Sequence, residues 1–288
     1  MKKAVTGAFE MTAAMAISGT IGWFVVRSGQ PVVALLFWRC VFGGAGLLPF
    51  CIAFGHLRRM QKRQFALAAG GGLAIALNWV LIFESFSHVP ISVATAVYNT
   101  QPFILLGFGM AFLGERITAA RLAWLALAFG GVVAIALGQP AVAAAGGDYP
   151  LGILLSIGAA FLYALAALAT KKLDGTAPQL ITLIHVGVGA VVFAPWGMRA
   201  DFPVDATAWS SLAAMGFIYT ALVFILLHSA IQKLPTAVTG ALSFIYPVVA
   251  MITDVVAFDQ RLSAAQWTGA AAILAGAVGI QLRDTRTG

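Results

Sequence analysis

Charge is what this sequence has least of. Only 9% of its 288 residues are Asp, Glu, Lys or Arg, while 61% are hydrophobic and the mean hydropathy is +0.94. A water-soluble domain carries about 25% charged residues, so the chain lacks the polar surface to cover a soluble globule. Cysteine is scarce as well. Cys40 and Cys51 share one apolar run, and no disulfide framework is expected. The sequence holds no Walker A motif, no His-Glu-x-x-His site and no paired-Asp cluster, and His56, His88, His185 and His228 are scattered. ATP-driven work by this chain alone and membrane-embedded metalloenzyme chemistry are therefore disfavoured, and neither cofactor nor metal is expected. No cleavable signal peptide is expected, because Met1-Lys2-Lys3 leads into an apolar run without a small-residue cleavage site.

What remains is a succession of apolar runs of the roughly 20 residues that a bilayer crossing requires. In the first half they are Val5–Val26, Pro31–Phe54, Phe65–Phe86, Pro90–Leu113 and Ala119–Leu137. In the second they are Leu151–Thr170, Pro178–Gly197, Ser210–Ile231, Pro235–Phe258 and Ala264–Leu282. Pro90 suits a first helical turn, where a missing N–H costs nothing. The turn-rich stretch Gly138–Pro150 is the one candidate linker, and no loop is long enough for a soluble domain. The expected fold is an all-α polytopic membrane protein with ten transmembrane helices.

The net charge of +7 could suggest nucleic acid, but the basic residues sit in short loops between apolar runs, a pattern that reads as membrane orientation. With ten spans, thirteen of the 17 Lys and Arg fall on the side of the termini, among them Lys62, Arg116, Lys171 and Lys233. Arg27, Arg199 and Arg261 fall on the other side, and Arg39 lies within a span. Cytoplasmic N- and C-termini follow, with the lipid bilayer as partner and no role for nucleic acid.

The two halves are also copies. His88–Thr118 shifted by 145 positions lies on Lys233–Ser263 without a gap: Pro90 falls on Pro235, Pro102 on Pro247 and Arg116 on Arg261. Gly7 falls on Gly152 and Ser18 on Tyr163. Five spans is an odd number, so matching helices would cross in opposite directions. Residues 1–143 and 148–288 thus read as two inverted five-helix repeats, a plan common in secondary transporters. Duplication kept for packing alone is the plainer reading.

Proline inside a helix gives up one backbone bond and clashes with the carbonyl four residues back. Pro102 and Pro247 should therefore free the Tyr98 and Ser243 carbonyls. Broken backbone at membrane depth belongs beside protein or a water-filled cavity. Polar and aromatic residues surround both prolines. The expected binding residues for a small solute are Asn78, Tyr98, Asn99, Gln101, Pro102, Tyr163, Tyr219, Ser243, Tyr246 and Pro247. Thr100 and Phe244 adjoin them. A simple kink satisfied by neighbouring helices is the alternative.

Other intramembrane polar groups read as less decisive. An Arg39–Glu84 pair is conceivable, as a brace rather than a substrate contact. Glu10, His228 and Asp254 lie nearer span ends and are expected to reach water. His185 reads as mid-span and alone, and Trp23 as an interfacial anchor. Ala126, Gly130, Ala134 and Gly138 recur every four residues, as do Ala271, Ala275 and Gly279, which marks the fifth and tenth spans as closely packed scaffold.

A five-helix repeat whose fourth span holds Pro102 and closes on Leu113-Gly114-Glu115-Arg116-Ile117-Thr118, before a Gly-rich fifth span, resembles the EamA family of the drug/metabolite transporter superfamily. The second copy departs from that motif with Asp259-Gln260-Arg261, so no role of Glu115 carries over to Gln260. The resemblance covers the whole chain in two copies and, within the family, is nearest to the YddG-type aromatic amino-acid exporters. It implies ten helices, a bacterial inner membrane and export of small metabolites, often amino acids. The expected activity is secondary transport of amino acids, aromatic ones included, by alternating access. A solute channel, or an exporter of other metabolites or drugs, is the alternative. Oligomeric state is left open.

Overall fold

The computed structural model describes residues 2–137, 148–200, 205–258 and 262–287, and every regular element among them is helical. Residues 138–147 of the stretch that reads as a linker and the Asp259-Gln260-Arg261 segment lie outside the described residues, as does the side chain of Asp254, while Tyr149 and Pro150, expected in the linker, open a helix. The first half comprises α1 (Lys2–Gly19), α2 (Ile21–Ser28), α3 (Val32–Ala53), α4 (Lys62–Ser85), α5 (Ile91–Tyr98), α6 (Gln101–Leu113) and α7 (Ala119–Leu137). The second comprises α8 (Tyr149–Lys172), α9 (Pro178–Gly197), α10 (Ala206–Gly216), α11 (Val223–Lys233), α12 (Thr236–Ser243), α13 (Ile245–Phe258) and α14 (Ala264–Thr287). A π-helical turn, Phe217–Leu222, joins α10 to α11. Among the described residues, nine helical stretches are long and apolar enough to cross a membrane, and the apolar part of α14, Ala264–Ile280, is shorter.

Helix ends follow local chemistry. Pro31, Pro90 and Pro235 stand at N-caps with extended ψ values of 142°, 140° and 152°, so Pro90 precedes its helix instead of lying in the first turn. The Asp148 and Asp205 carboxylates accept the Leu151 and Ala208 N–H groups at 3.2 and 2.6 Å, capping α8 and α10. Gly114 closes α6 at φ 67°, a left-handed conformation that a side chain resists.

Three crossings are interrupted: at Thr20 between α1 and α2, at Asn99 and Thr100 between α5 and α6, and at Phe244 between α12 and α13. The last two breaks lie just before Pro102 and Pro247, as expected of residues with no N–H to continue the ladder. Side chains reinforce the turns beside the two breaks. Asn99 Nδ2 donates to the Thr95 carbonyl (2.7 Å), Thr100 Oγ1 to Val97 (2.7 Å) and Ser243 Oγ to Gly240 (2.6 Å). The break at Thr20 has no proline and adjoins Gly19, which lies so close to α13 that a Cβ there would meet the Val249 Cβ at 2.6 Å.

The bundle pairs α4 with α8, α1 with α11, α3 with α9 and α7 with α14. Close contacts recur at the 145-residue shift. A Cβ on Gly7 would lie 2.9 Å from the Lys233 Cβ, and a Cβ on Gly152 would lie 2.8 Å from the His88 Cβ. A Cβ on Gly131 would strike the Gly269 carbonyl, and one on Gly276 the Trp124 carbonyl. The close seam of α7 with α14 thus runs through Gly131, Gly269, Gly276 and Gly279. Ala126, Gly130, Ala271 and Ala275 are exposed, one helical step away from the contact expected of them. Cys40 and Cys51 are free thiols, both buried.

Candidate functional site

The two proline-broken helices meet in the bundle interior. Gly240 of α12 sits against Pro102 of α6, and a Cβ there would be 2.8 Å from the proline Cβ. Beside this contact is a void of about 10 Å³ lined by Gln101, Pro102, Tyr163, Thr239, Gly240 and Ser243, room for about one water. Gln101 and Thr239 are buried, and neither Gln101 Oε1 nor Thr239 Oγ1 has a hydrogen-bond partner. Orphaned polar atoms are uncommon in a native interior, and two at one void mark a place for a polar guest.

The residues expected at the site divide into four groups. Gln101, Pro102, Tyr163 and Ser243 line the void. Tyr98 and Asn78 stand behind them: the Tyr98 and Tyr163 rings are 6.3 Å apart, and Asn78 Nδ2 donates to the Ala159 carbonyl (2.7 Å) and reaches Tyr98 Oη at 3.4 Å. Tyr246 and buried Pro247 begin α13, just past the second break, while the Asn99 amide holds its own helix end. Tyr219 lies elsewhere, its hydroxyl 2.5 Å from Thr20 Oγ1 at the α1–α2 break and its ring 5.2 Å from Phe24. Thr239 and Gly240 are missing from the expected set. They occupy the positions of Ala94 and Thr95 in the first copy, so the repeat alone gives them no distinction.

One end of the bundle is closed by charged groups. The Glu115 carboxylate accepts the Thr236 backbone N–H (3.0 Å) and the Thr236 hydroxyl (2.5 Å), so it sits on the positive N-terminus of α12. Lys171 Nζ lies 3.5 Å from the same carboxylate and donates to the Leu234 carbonyl. Lys233 pairs with Glu10 at 2.5 Å, and both side chains stay partly exposed. A surface cavity of about 510 Å³ opens among the loops at this end, beside Gln64, Asp174 and Lys233, and shares no lining residue with the interior void.

Three further expectations change. His185 is not alone and His228 does not reach water: both are buried, with ring centroids 4.8 Å apart in an edge-to-face contact. Arg39 does not pair with Glu84, which is exposed and 3.6 Å from His88. The Arg27 guanidinium lies 4.7 Å above the Trp23 ring. Among the described residues, no group of three His, Cys, Asp or Glu side chains could hold a metal ion.

Comparison with known proteins matches this architecture. Residues 3–137 and 150–282 each fit the EamA-like transporter family. "Uncharacterized transporter YxxF" of Bacillus subtilis is 27% identical over 96% of this chain and 89% of its own. A "Riboflavin transporter" of Brucella anthropi is 26% identical over 94% and 95% of the two chains. The "Probable amino-acid metabolite efflux pump" of Escherichia coli is 25% identical over 81% and 82%. A chain of known crystal structure superposes with a TM-score of 0.83 at 19% identity, covering 98% of both chains, which shows the shared fold. The protein is a multi-pass membrane protein and belongs to the EamA-like transporter family.

Proposed function

We propose that the protein is a secondary transporter of small organic solutes, amino acids including aromatic ones, moving them outward across a bacterial cytoplasmic membrane by alternating access. In this reading ten spans form two inverted halves, 1–143 and 148–288, with both termini cytoplasmic. The glycine contacts that recur at the 145-residue shift support the two halves, and the excess of Lys and Arg on the terminus side supports the orientation. The observation that carries the site is the pair of unpartnered buried oxygens, Gln101 Oε1 and Thr239 Oγ1, at the void between the broken helices.

A void of about 10 Å³ holds no amino acid, whereas ligand sites usually offer about 300 Å³ or more. The structure is therefore read as an occluded state. Binding separates α6 from α12 at the Pro102–Gly240 contact, where a proline and a glycine leave no side chains interlocked. Rocking of one half against the other then exposes the site to either side.

Counterflow in proteoliposomes with a panel of amino acids, riboflavin and amphipathic drugs tests the function. Saturable exchange that accelerates with solute on the far side is expected, and flux that never saturates would mark a pore instead. Gln101→Ala and Thr239→Val should each slow exchange by about tenfold, the loss of one hydrogen bond to a charged or strongly polar guest, and Trp124→Ala should not. Equal effects of all three would remove the case for a site at the void.

A further inference from the structure

Among the described side chains, Arg39 is a cation of the bundle interior with no carboxylate beside it. It sits within α3, 7% exposed. Nε donates to Thr220 Oγ1 at 3.0 Å, and the guanidinium carbon lies 4.6 Å from the centre of the Trp79 ring. Both partners are neutral. Among the described side chains no carboxylate lies within 4 Å of it. Glu10 is committed to Lys233, Glu84 to His88 and Glu115 to Lys171, while Asp148 and Asp205 cap helices.

The surroundings hold this charge in place. Thr220 belongs to the π turn of the eighth crossing and passes its own hydroxyl hydrogen to the Met215 carbonyl (2.8 Å), so its oxygen is left to accept from Arg39. π turns are frequent at functional sites because they re-aim one side chain out of helical register. Gly43, one turn along α3 from Arg39, keeps clear the space that Thr220 occupies: a Cβ there would be 3.2 Å from Thr220 Cγ2. Trp79 fixes the plane of the guanidinium. With Nε engaged, the two Nη groups are the remaining donors, and their parallel N–H pairs match the two oxygens of a carboxylate.

This position adjoins the broken helices. Trp79 follows Asn78, whose amide reaches Tyr98. Tyr246, the residue before Pro247, lies within electrostatic reach of both Arg39 and Tyr98. Intramembrane ionisable groups pair with one another or line substrate pathways, and a buried cation held only by neutral groups favours an incoming anion.

We propose that Arg39 is the anchor for a carboxylate on the transported solute, so that the substrates are carboxylate-bearing molecules whose apolar portion packs on the Trp79 and Tyr246 rings. The assignment rests on the transporter reading above.

The test is counterflow with matched acids and amides: phenylalanine against phenylalaninamide, leucine against leucinamide, and riboflavin as a neutral solute. Wild-type protein should exchange the acids at least about tenfold better than their amides, since a charge-assisted bidentate pair replaces neutral hydrogen bonds. Arg39→Gln should bring the acid-to-amide ratio close to one, and Arg39→Lys should keep part of the preference, with folding followed by tryptophan fluorescence during thermal unfolding. The wild-type comparison needs no variant to fold. Amides, or riboflavin alone, carried as well as the acids would overturn the Arg39 assignment and leave the transporter intact. No exchange of any solute would instead strike at the transporter reading itself.

Discussion

At the residue scale, a buried hydrogen-bond chain dictates a proton's position. Thr182 Oγ1 lies 2.8 Å from the Pro178 carbonyl and 2.9 Å from His228 Nδ1. A hydroxyl has one hydrogen, and a carbonyl can only accept, so Thr182 donates to Pro178 and accepts from His228. His228 is therefore the Nδ1–H tautomer, with Nε2 as its basic nitrogen. Ring-¹⁵N NMR on histidine-labelled protein at neutral pH should show that tautomer, and a predominant Nε2–H signal would contradict the chain. Thr182→Val should destabilise the protein by about 1–3 kcal/mol, the cost of a buried donor left without its acceptor, seen as a lower Tm in detergent. None of this is legible in the sequence. His185 and His228 are 43 positions apart, and Tyr219 meets Thr20 across 199. Their pairing is a product of helix packing that no local pattern records. Gln101 and Ser243 could be read as site residues because each lies within four positions of a proline that must break its helix.

Elements were more legible than their contacts. Apolar runs of bilayer length announce helices, and Pro102 and Pro247 announce breaks, because both follow from local chemistry. The break at Thr20 and the π turn at Phe217–Leu222 have no proline of their own, so no equally strong local signal announces them. The seam of α7 shows the same limit: Ala134 and Gly279 of the four-residue stripes do reach it, but its closest backbone approach is made by Gly131 and Gly269, which lie off them. Glu115 is an element-scale device, a carboxylate from the end of one broken crossing capping the first turn of the other. Glu115→Gln removes the charge that meets both the α12 N-terminus and Lys171. In a background lacking Cys40 and Cys51, it should raise the rate at which a hydrophilic maleimide, added from the terminus side, labels a cysteine at position 243. The expected factor is about fivefold, given the roughly 1 kcal/mol that such a cap contributes. An unchanged rate would mean that apolar packing alone keeps this end shut.

At the scale of the whole molecule, the recurrence of contacts yields a paired prediction. Gly7 lets α1 approach Lys233 and Leu234 at the end that carries Glu115, while Gly152 lets α8 approach His88 and Val89 at the opposite end. If the halves are inverted copies, these are one joint used twice, each closing the mouth at its own end. Bulk at one joint should then open that mouth and leave the other closed. Gly7→Val should increase labelling of the position-243 cysteine by maleimide from the terminus side and decrease it from the far side. Gly152→Val should do the reverse. Each added side chain would begin less than 3 Å from its neighbour, so the joint must separate by about an ångström, as overpacked contacts do. Sealed vesicles of both orientations, labelled with impermeant reagent before and after reconstitution of the opposite face, separate the two directions. Opposed responses of the two variants are the signature of a molecule that rocks about a pseudo-twofold axis. A common response, in which both substitutions open the same end or merely lower Tm, would leave two packing contacts that happen to share a spacing.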